Sequence, residues 1–503
     1  MSHASWNALA RDLSGELSLD ERDRNTHSED ASIFVVRPAA VAFPRGNDDI
    51  DRLLRFCREE GLSVTARGAG TSRGGQPLGQ GLCLNFRRHW QSVLHWDDRS
   101  GELTVEPGVL YAEAQKFLAR HGRAFPPDPS WHQCTVGGMV ANNAAGIHSV
   151  KYGGTIEHFR GAEFFSGDGA LHDTRVPDGL SRSLGELLQR NASLIEGDFP
   201  AVEKNSAGYS LAHALHAKNP LASVLCGSEG TLGLFTKIHL GTVRIPSHRA
   251  LSIAYYPSLA SALEAGLRMK EAGVAACELV DKVLLDLHAG HEESRHARRI
   301  TGNRWLDEFY ALSAEAVLIV ECDGFSSEEV ERCQRATEEA SGTRAIYRVA
   351  DGEAGAAWDL RRHTSPILNK VENGRVAIKP LWAVEDVCLP RHRLVEYVAE
   401  QDRIFRRHGL VCSFFGHVAS ANLHIDPLHL NLRGAGDGLF DRVTEESYRL
   451  VVRMGGSISG EHGDGLLRTR FLPLQYPRSF PLFAEVKKLF DPLGILNPGK
   501  IVL

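Results

Sequence analysis

Glycine in this 503-residue chain is bunched, and the bunching limits the folds open to it. The segments "ARGAGTSRGGQ" (66–76), "TVGGMVANNAAG" (135–146), "GSEGTLG" (227–233) and "SISGEHGDGLLR" (457–468) are dense in glycine, which gives up backbone entropy on folding. Such backbone is expected where a chain turns sharply or lies close against something. Residues 250–345, by contrast, alternate strand-like runs ("ALSIAYYP", "AVLIVECDG") with helical ones ("LASALEAGLRMKEAG", "SEEVERCQRATEEA"). One hydrophobic core stops growing at about 250–300 residues, so a chain of this length is expected to divide. The expected division is a helical, polar lead-in (1–32), a glycine-rich unit (33–246), an α+β unit (247–455), and a C-terminal segment (456–503) that returns to glycine.

Within the first unit, "IFVVRPAAVAFPR" reads as a strand and "NDDIDRLLRFCREEG" as a helix capped by Asn47. "LSVTARGAG" follows as a second strand, which together make a βαβ unit. The first glycine loop is neither a dinucleotide fingerprint nor a P-loop: Arg73 stands where GxGxxG needs its third glycine, and no GKS or GKT follows.

A formal charge of -6 argues against a nucleic-acid binder. The apolar stretches are too short or interrupted to span a membrane, and no signal peptide is visible, so the expected location is cytoplasmic or peripheral at a membrane. The nine cysteines (57, 83, 134, 226, 277, 322, 333, 388, 412) are scattered singly. That excludes a CxxC-type cluster site within the chain and predicts buried, reduced thiols.

Taken in order with "PPDPS" (126–130), "VEKNSAGYSL" (202–211) and "NPGK" (497–500), the glycine segments resemble the FAD-binding domain of the vanillyl-alcohol oxidase/p-cresol methylhydroxylase superfamily. The resemblance runs from about residue 33 to the C-terminus. It implies an α+β fold: a two-part PCMH-type FAD-binding domain, an α/β substrate (cap) domain, and a C-terminal segment completing the flavin site. It also implies roles. Arg67, Gly68, Ala69, Gly70, Thr71 and Ser72 would form the pyrophosphate loop. Thr135, Gly137, Gly138, Asn142, Asn143 and Gly146 would line the diphosphate and isoalloxazine, and Pro127 would also bind the cofactor. Glu229, Gly230 and Gly233 would form the adenosine-side turn, and Asn497 and Lys500 a closing contact near the flavin. Backbone amides suit phosphate, and glycines let a flat ring approach. The first loop has no His or Cys, so the FAD is expected to be non-covalent.

"FFGHVASANLHI" (414–425) places His417 and His424 seven residues apart, a spacing that a helix or another local conformation can bring together. With Glu461 they would make a His₂Glu set with an open position, as in catalytic zinc or manganese sites. The stretch is similar to the "GHxGDGNLH" and "GEHG" patterns of FAD-dependent D-2-hydroxyacid dehydrogenases, the D-lactate, D-2-hydroxyglutarate and glycolate enzymes. Ala419-Ser420-Ala421 replaces the central GDG. By this resemblance His417, His424 and Glu461 hold a divalent metal, Asn422 touches substrate, and His462 is the general base. Arg361 and Ser365 in "AAWDLRRHTSPILNK", and Lys379, would bind the substrate carboxylate. Arg362, Lys370 and Arg375 are candidates for a distal carboxylate. Electrons would pass to a separate iron–sulfur subunit, a quinone or an electron-transfer flavoprotein. The alternatives are a superfamily oxidase acting on an alcohol or sugar, and a flavin electron-transfer subunit with no substrate of its own.

Overall fold

The computed structural model describes residues 3–290, 302–362, 379–380, 384–429 and 438–503. Three principal sheets organise it. The first contains β1 (Glu16–Ser18), β2 (Ala40–Phe43), β3 (Val64–Arg67) and β4 (Leu82–Asn85), in the order β1-β2-β4-β3. β2 and β3 both run parallel to β4, and helix Asn47–Glu60 crosses between them, giving the expected βαβ unit with a strand inserted. Ile50, Leu53, Leu54 and Cys57 form the buried stripe of that helix. Its cap is Gly46, not Asn47; Asn47 is the first helical residue and turns its amide to Glu163. The long strand expected over 33–45 is confined to Ala40–Phe43, between Pro38 and Pro44, which cannot donate to a ladder. β3 is an edge strand, closed by a bridge from Val64 to Leu496.

The N-terminal lead-in belongs to this layer. Helix His3–Asp12 buries Trp6 and Leu9 against Ala40, Ile50 and Leu53, and β1 pairs with β2. A purely helical and polar reading of residues 1–32 therefore gives way to a helix–strand–helix segment with apolar anchors.

The second sheet is antiparallel: β5 (Val93–Asp97), β6 (Glu102–Val105), β7 (Phe159–Phe165), β8 (Leu171–Asp173) and β9 (Leu234–Gly241), ordered β5-β6-β9-β7-β8. The third carries β10 (His248–Tyr256), β11 (Ala276–Asp281), β12 (Ala316–Gly324), β13 (Ile346–Val349), β14 (Lys379–Pro380), β15 (Val387–Cys388), β16 (Val411–His417) and β17 (Asn422–His429). Its order is β13-β10-β12-β11-β16-β17-β14, with β15 pairing β17. All nine residues of β12 are buried: its first five are apolar, while Glu321 and Asp323 pair with His148 and Lys151, and helices Leu259–Met269 and Ser327–Ser341 pack on this sheet.

Seven cysteines are buried free thiols, but Cys322 on β12 and Cys333 on the following helix form a disulfide. The strand–turn–helix connection brings their Cα atoms to 5.9 Å, within bonding reach, which single scattered cysteines do not reveal. Among the described residues no helix is long and apolar enough to cross a membrane.

Candidate active site

A single cavity of about 1010 Å³ runs from the glycine segments to the histidines. Arg67 through Arg73, Asp128, Thr135, Gly137, Gly138, Asn142, Gly146, Glu229, Gly230 and Gly233 form one part of its wall. Arg361, Phe415, His424, Glu461 and His462 form another. The glycines are obligatory where strips touch. A Cβ on Gly68 would sit 2.1 Å from Thr135 Oγ1, and one on Gly146 would sit 1.9 Å from the Asp128 carbonyl oxygen. Thr135 caps helix Val136–Asn142, its Oγ1 accepting from Gly138 N at 3.2 Å. Asn142 donates to Ser72 Oγ at 3.2 Å, while its buried Oδ1 has no partner. A buried acceptor without a donor on a cavity wall fits a ligand carrying N–H or O–H groups, as a flavin does.

Four expected cofactor contacts lie elsewhere. Pro127 is buried behind the wall, and Asn143 closes the helix at φ 49°, its Oδ1 accepting from Ile156 N. Asn497 donates to the carbonyls of Gln76 and Glu229 at 2.9 and 2.7 Å, and Lys500 donates to Leu78 O and Asn497 Oδ1. Both side chains are therefore spent on pinning the backbone around the cavity rather than facing it. Arg67 lines the cavity but donates to the Glu29 carbonyl at 2.6 Å, which anchors the N-terminal segment. Glu229 turns its carboxylate to the backbone N–H groups of Asp464 (2.5 Å) and Gly465 (2.9 Å). Burial pushes that carboxyl up to about 7, against the pull of these bonds. It ties down the C-terminal glycine loop, a role not foreseen for an adenosine-side turn.

His417 ends β16 and His424 lies in β17, with a tight turn over 418–420 and Ala421 at φ 52° between them. A hairpin, not a helix, makes them converge. His417 Nδ1 lies 2.5 Å from Glu278 Oε1, and His424 Nδ1 lies 3.3 Å from the Glu385 carbonyl. In the neutral rings, donation at Nδ1 leaves each Nε2 as a lone pair. Both Nε2 atoms face Glu461 Oε1, at 3.2 and 3.3 Å. Three acceptors thus meet with no donor between them, which repels unless a cation or a proton enters. Bonds of about 2.0–2.1 Å to a tetrahedral metal put neighbouring ligand atoms roughly 3.3 Å apart, so the donor set fits such an ion. The other Glu461 oxygen is 2.9 Å from Lys204 Nζ. Burial pulls His417 down, but the Glu278 carboxylate outweighs it and holds the imidazole above its ordinary value.

His462 stacks on His424, with ring centroids 4.9 Å apart. Its Nδ1 lies 2.6 Å from Glu385 Oε2, and its backbone N–H donates to Asp386 Oδ2 at 2.9 Å. Glu385 also accepts from the fully buried Arg468 at 2.5 Å. Burial lowers the His462 imidazole, and the Glu385 and Asp386 carboxylates raise it further than burial lowers it. Asn422 is placed otherwise than expected. Its amide nitrogen donates to Asp386 Oδ1 (2.8 Å) and Val387 O (2.9 Å), and its oxygen accepts from Lys204 (3.1 Å). With no exposed surface and every polar group engaged, it supports the site instead of touching the cavity.

Arg361, near the end of helix Ala354–Arg362, lines the cavity with its Nε 2.7 Å from Glu278 Oε2. Arg362 also lines it. Ser365, Lys370 and Arg375 lie outside the described residues; Lys379 is placed on β14 with its side chain outside them. Sequence reasoning missed Lys204, Glu278, Glu385, Asp386 and Arg468. The signal for the acids was there: Glu385 and Asp386 stand together in the apolar run "LWAVEDVCLP", where charge is costly without a partner.

One further cluster joins the cavity loop to the third sheet. His148 Nδ1 lies 3.1 Å from Asp128 Oδ2 and its Nε2 3.1 Å from Glu321 Oε1. Burial lowers this imidazole, but the two carboxylates push it up to about 10. Since the folded value exceeds the usual 6.5, its contribution to stability is full below about pH 6.5 and is lost as pH rises through about 10. His148→Gln is expected to cost about 1–3 kcal/mol at pH 7. The difference in melting temperature from the parent should shrink above pH 10. A constant difference from pH 6 to 11 would count against this clasp.

Residues 245–501 match the family of FAD linked oxidases, C-terminal domain, and residues 38–175 match an FAD binding domain. The chain is similar to the D-2-hydroxyglutarate dehydrogenase of Escherichia coli (strain K12), with 29% identity over 97% of this chain and 50% of that protein. It thus spans about half the length of the D-2-hydroxyglutarate dehydrogenases it matches. The D-lactate dehydrogenase of Archaeoglobus fulgidus is 27% identical over 92% of this chain and 91% of its own length. Glycolate oxidase subunit GlcD of Bacillus subtilis is 27% identical over 97% and 95%. Among solved structures, 4-ethylphenol oxidase from Gulosibacter chungangensis superposes with a TM-score of 0.70 at 16% identity, covering 100% of this chain and 98% of that one. An alkyldihydroxyacetonephosphate synthase superposes at 0.68 with 15% identity, covering 96% and 82%. These likenesses establish the expected α+β fold of PCMH-type FAD oxidases.

Proposed function

This chain belongs to the FAD-linked oxidase family, and from that premise we propose that it oxidises a D-2-hydroxy acid of the D-lactate, D-2-hydroxyglutarate or glycolate class to the 2-oxo acid. FAD is the cofactor of its N-terminal domain. The observation that carries the reading is the one cavity joining the glycine strips to Arg361, His424, Glu461 and His462.

When bound, FAD supplies the hydride acceptor, and a divalent cation on His417, His424 and Glu461 supplies a Lewis acid. The chain's own groups do the rest. Arg361, anchored by Glu278, grips the substrate carboxylate, and Lys379 and Ser365 assist it. Glu385 holds the proton on His462 Nδ1, so Nε2 is the atom that takes the proton of the 2-hydroxyl. Arg468 and Asp386 fix Glu385 and the His462 backbone, which limits the motion of the base. Electrons leave to a separate acceptor: an iron–sulfur subunit, a quinone or an electron-transfer flavoprotein.

The test is an anaerobic titration of metal-analysed protein with D-lactate, D-2-hydroxyglutarate, glycolate and their L-isomers. Bleaching of the flavin absorbance by at least one D-acid or glycolate is expected, with chelation abolishing it. If nothing in the panel reduces the flavin, the electron-transfer-subunit reading replaces this one. Reduction that survives complete metal removal would instead favour a metal-independent oxidase. Turnover with oxygen as fast as with dye would exclude the dehydrogenase.

A further inference from the structure

The two oxygens of Glu461 are treated differently. Oε1 faces His417 and His424, while Oε2 lies 2.9 Å from Lys204 Nζ. Lys204 lies between the two matched domains, residues 38–175 and 245–501, and reaches across to a site built from the hairpin and the C-terminal loop. Its position is fixed independently of Glu461. Nζ also donates to Asn422 Oδ1 at 3.1 Å, and that amide is itself held by Asp386 and Val387. The loop carrying Lys204 is stitched to the C-terminal glycine loop by Ser206 N to Ser459 O (2.9 Å) and Gly208 N to Asp464 Oδ2 (2.7 Å). The ammonium is therefore held by contacts other than Oε2, which oppose its following that oxygen if the carboxylate rotates.

A carboxylate with one oxygen bound by a buried ammonium offers a metal only the other. We propose that Lys204 is a positioning residue that restricts Glu461 to one-oxygen coordination, and so selects a small four-coordinate cation, zinc, over manganese. Larger, higher-coordinate ions gain most from a bidentate carboxylate; a tetrahedral site needs one oxygen. The proposal rests on the divalent-metal reading given above.

The bland role for Lys204 is neutralising a buried carboxylate, and metal choice separates the two. Wild-type protein and Lys204→Met, both with FAD bound, are stripped with chelator and dialysed against equimolar zinc and manganese. Bound metal is then counted by mass spectrometry. The zinc-to-manganese ratio is expected to fall about tenfold in Lys204→Met and to stay at the parent value in Lys204→Arg. An unchanged ratio in Lys204→Met overturns the proposal and leaves the metal reading intact. If the wild type takes up neither ion, the metal reading itself fails. Should Lys204→Met not retain FAD, X-ray absorption of the zinc-loaded wild type decides. Four-coordinate zinc with a single carboxylate oxygen is expected, and a bidentate carboxylate refutes the role.

Discussion

Glu385→Gln is expected to slow flavin reduction by roughly 10³–10⁴-fold while leaving FAD bound. The reason is a choice forced on the amide. Glu385 accepts on both oxygens, from Arg468 at 2.5 Å and from His462 Nδ1 at 2.6 Å. Glutamine has one acceptor and one donor end. Arg468 is fully buried and can only donate, so the amide oxygen must go to it. The NH₂ then faces His462, making Nδ1 an acceptor and moving the ring proton to Nε2, where the lone pair is needed. The upper end of that range is the loss of about 10⁴ seen for the analogous Asp-to-Asn exchange in a serine protease triad. Anaerobic stopped-flow reduction measures it. Glu385→Asp keeps two acceptor oxygens and should recover much of the rate. Parental rates in Glu385→Gln would remove Glu385 from the proton path.

His462→Ala is expected to lower the same rate by about 10²–10⁴-fold, the usual range for a lost general base. Its distinguishing mark is what it spares. The donor set of His417, His424 and Glu461 is untouched, so metal content and flavin absorbance should equal those of the parent. Glu461→Ala should instead lose metal as well as rate. Substrate oxidation by His462→Ala at the parental rate would show that another group takes the proton.

How much of this site the sequence disclosed depended on how far each partner lies along the chain. The glycine strips were legible because the backbone itself is the feature, and glycine marks it residue by residue. His417, His424 and Glu461 were singled out by likeness to the "GHxGDGNLH" and "GEHG" patterns, since two histidines seven apart assign no role by spacing alone. Glu278 was not: it lies 139 residues before His417, inside a β-strand with no local pattern to announce it. Lys204 was hidden similarly, in "VEKNSAGYSL", a segment cited only as part of the family resemblance. Asn422 and Lys500 were expected to face ligand because of their neighbours in the chain, but contacts from Asp386, Lys204 and Leu78 turned them inward. The disulfide was invisible because its formation depends on a turn bringing a strand and helix together, not on composition.

The bridge between Val64 and Leu496 sets a timetable for biosynthesis. Thr65 and Asn497 are bonded across 432 residues, so strand β3 stays an open edge until the far end of the chain is made. At 5–20 residues per second that interval is roughly 20–90 s. For its duration the nascent protein displays a strand with one edge unpaired beside an apolar core, the kind of surface that templates aggregation. Yield in a heterologous host should therefore respond more to chaperone supply and growth temperature than to changes at the catalytic centre.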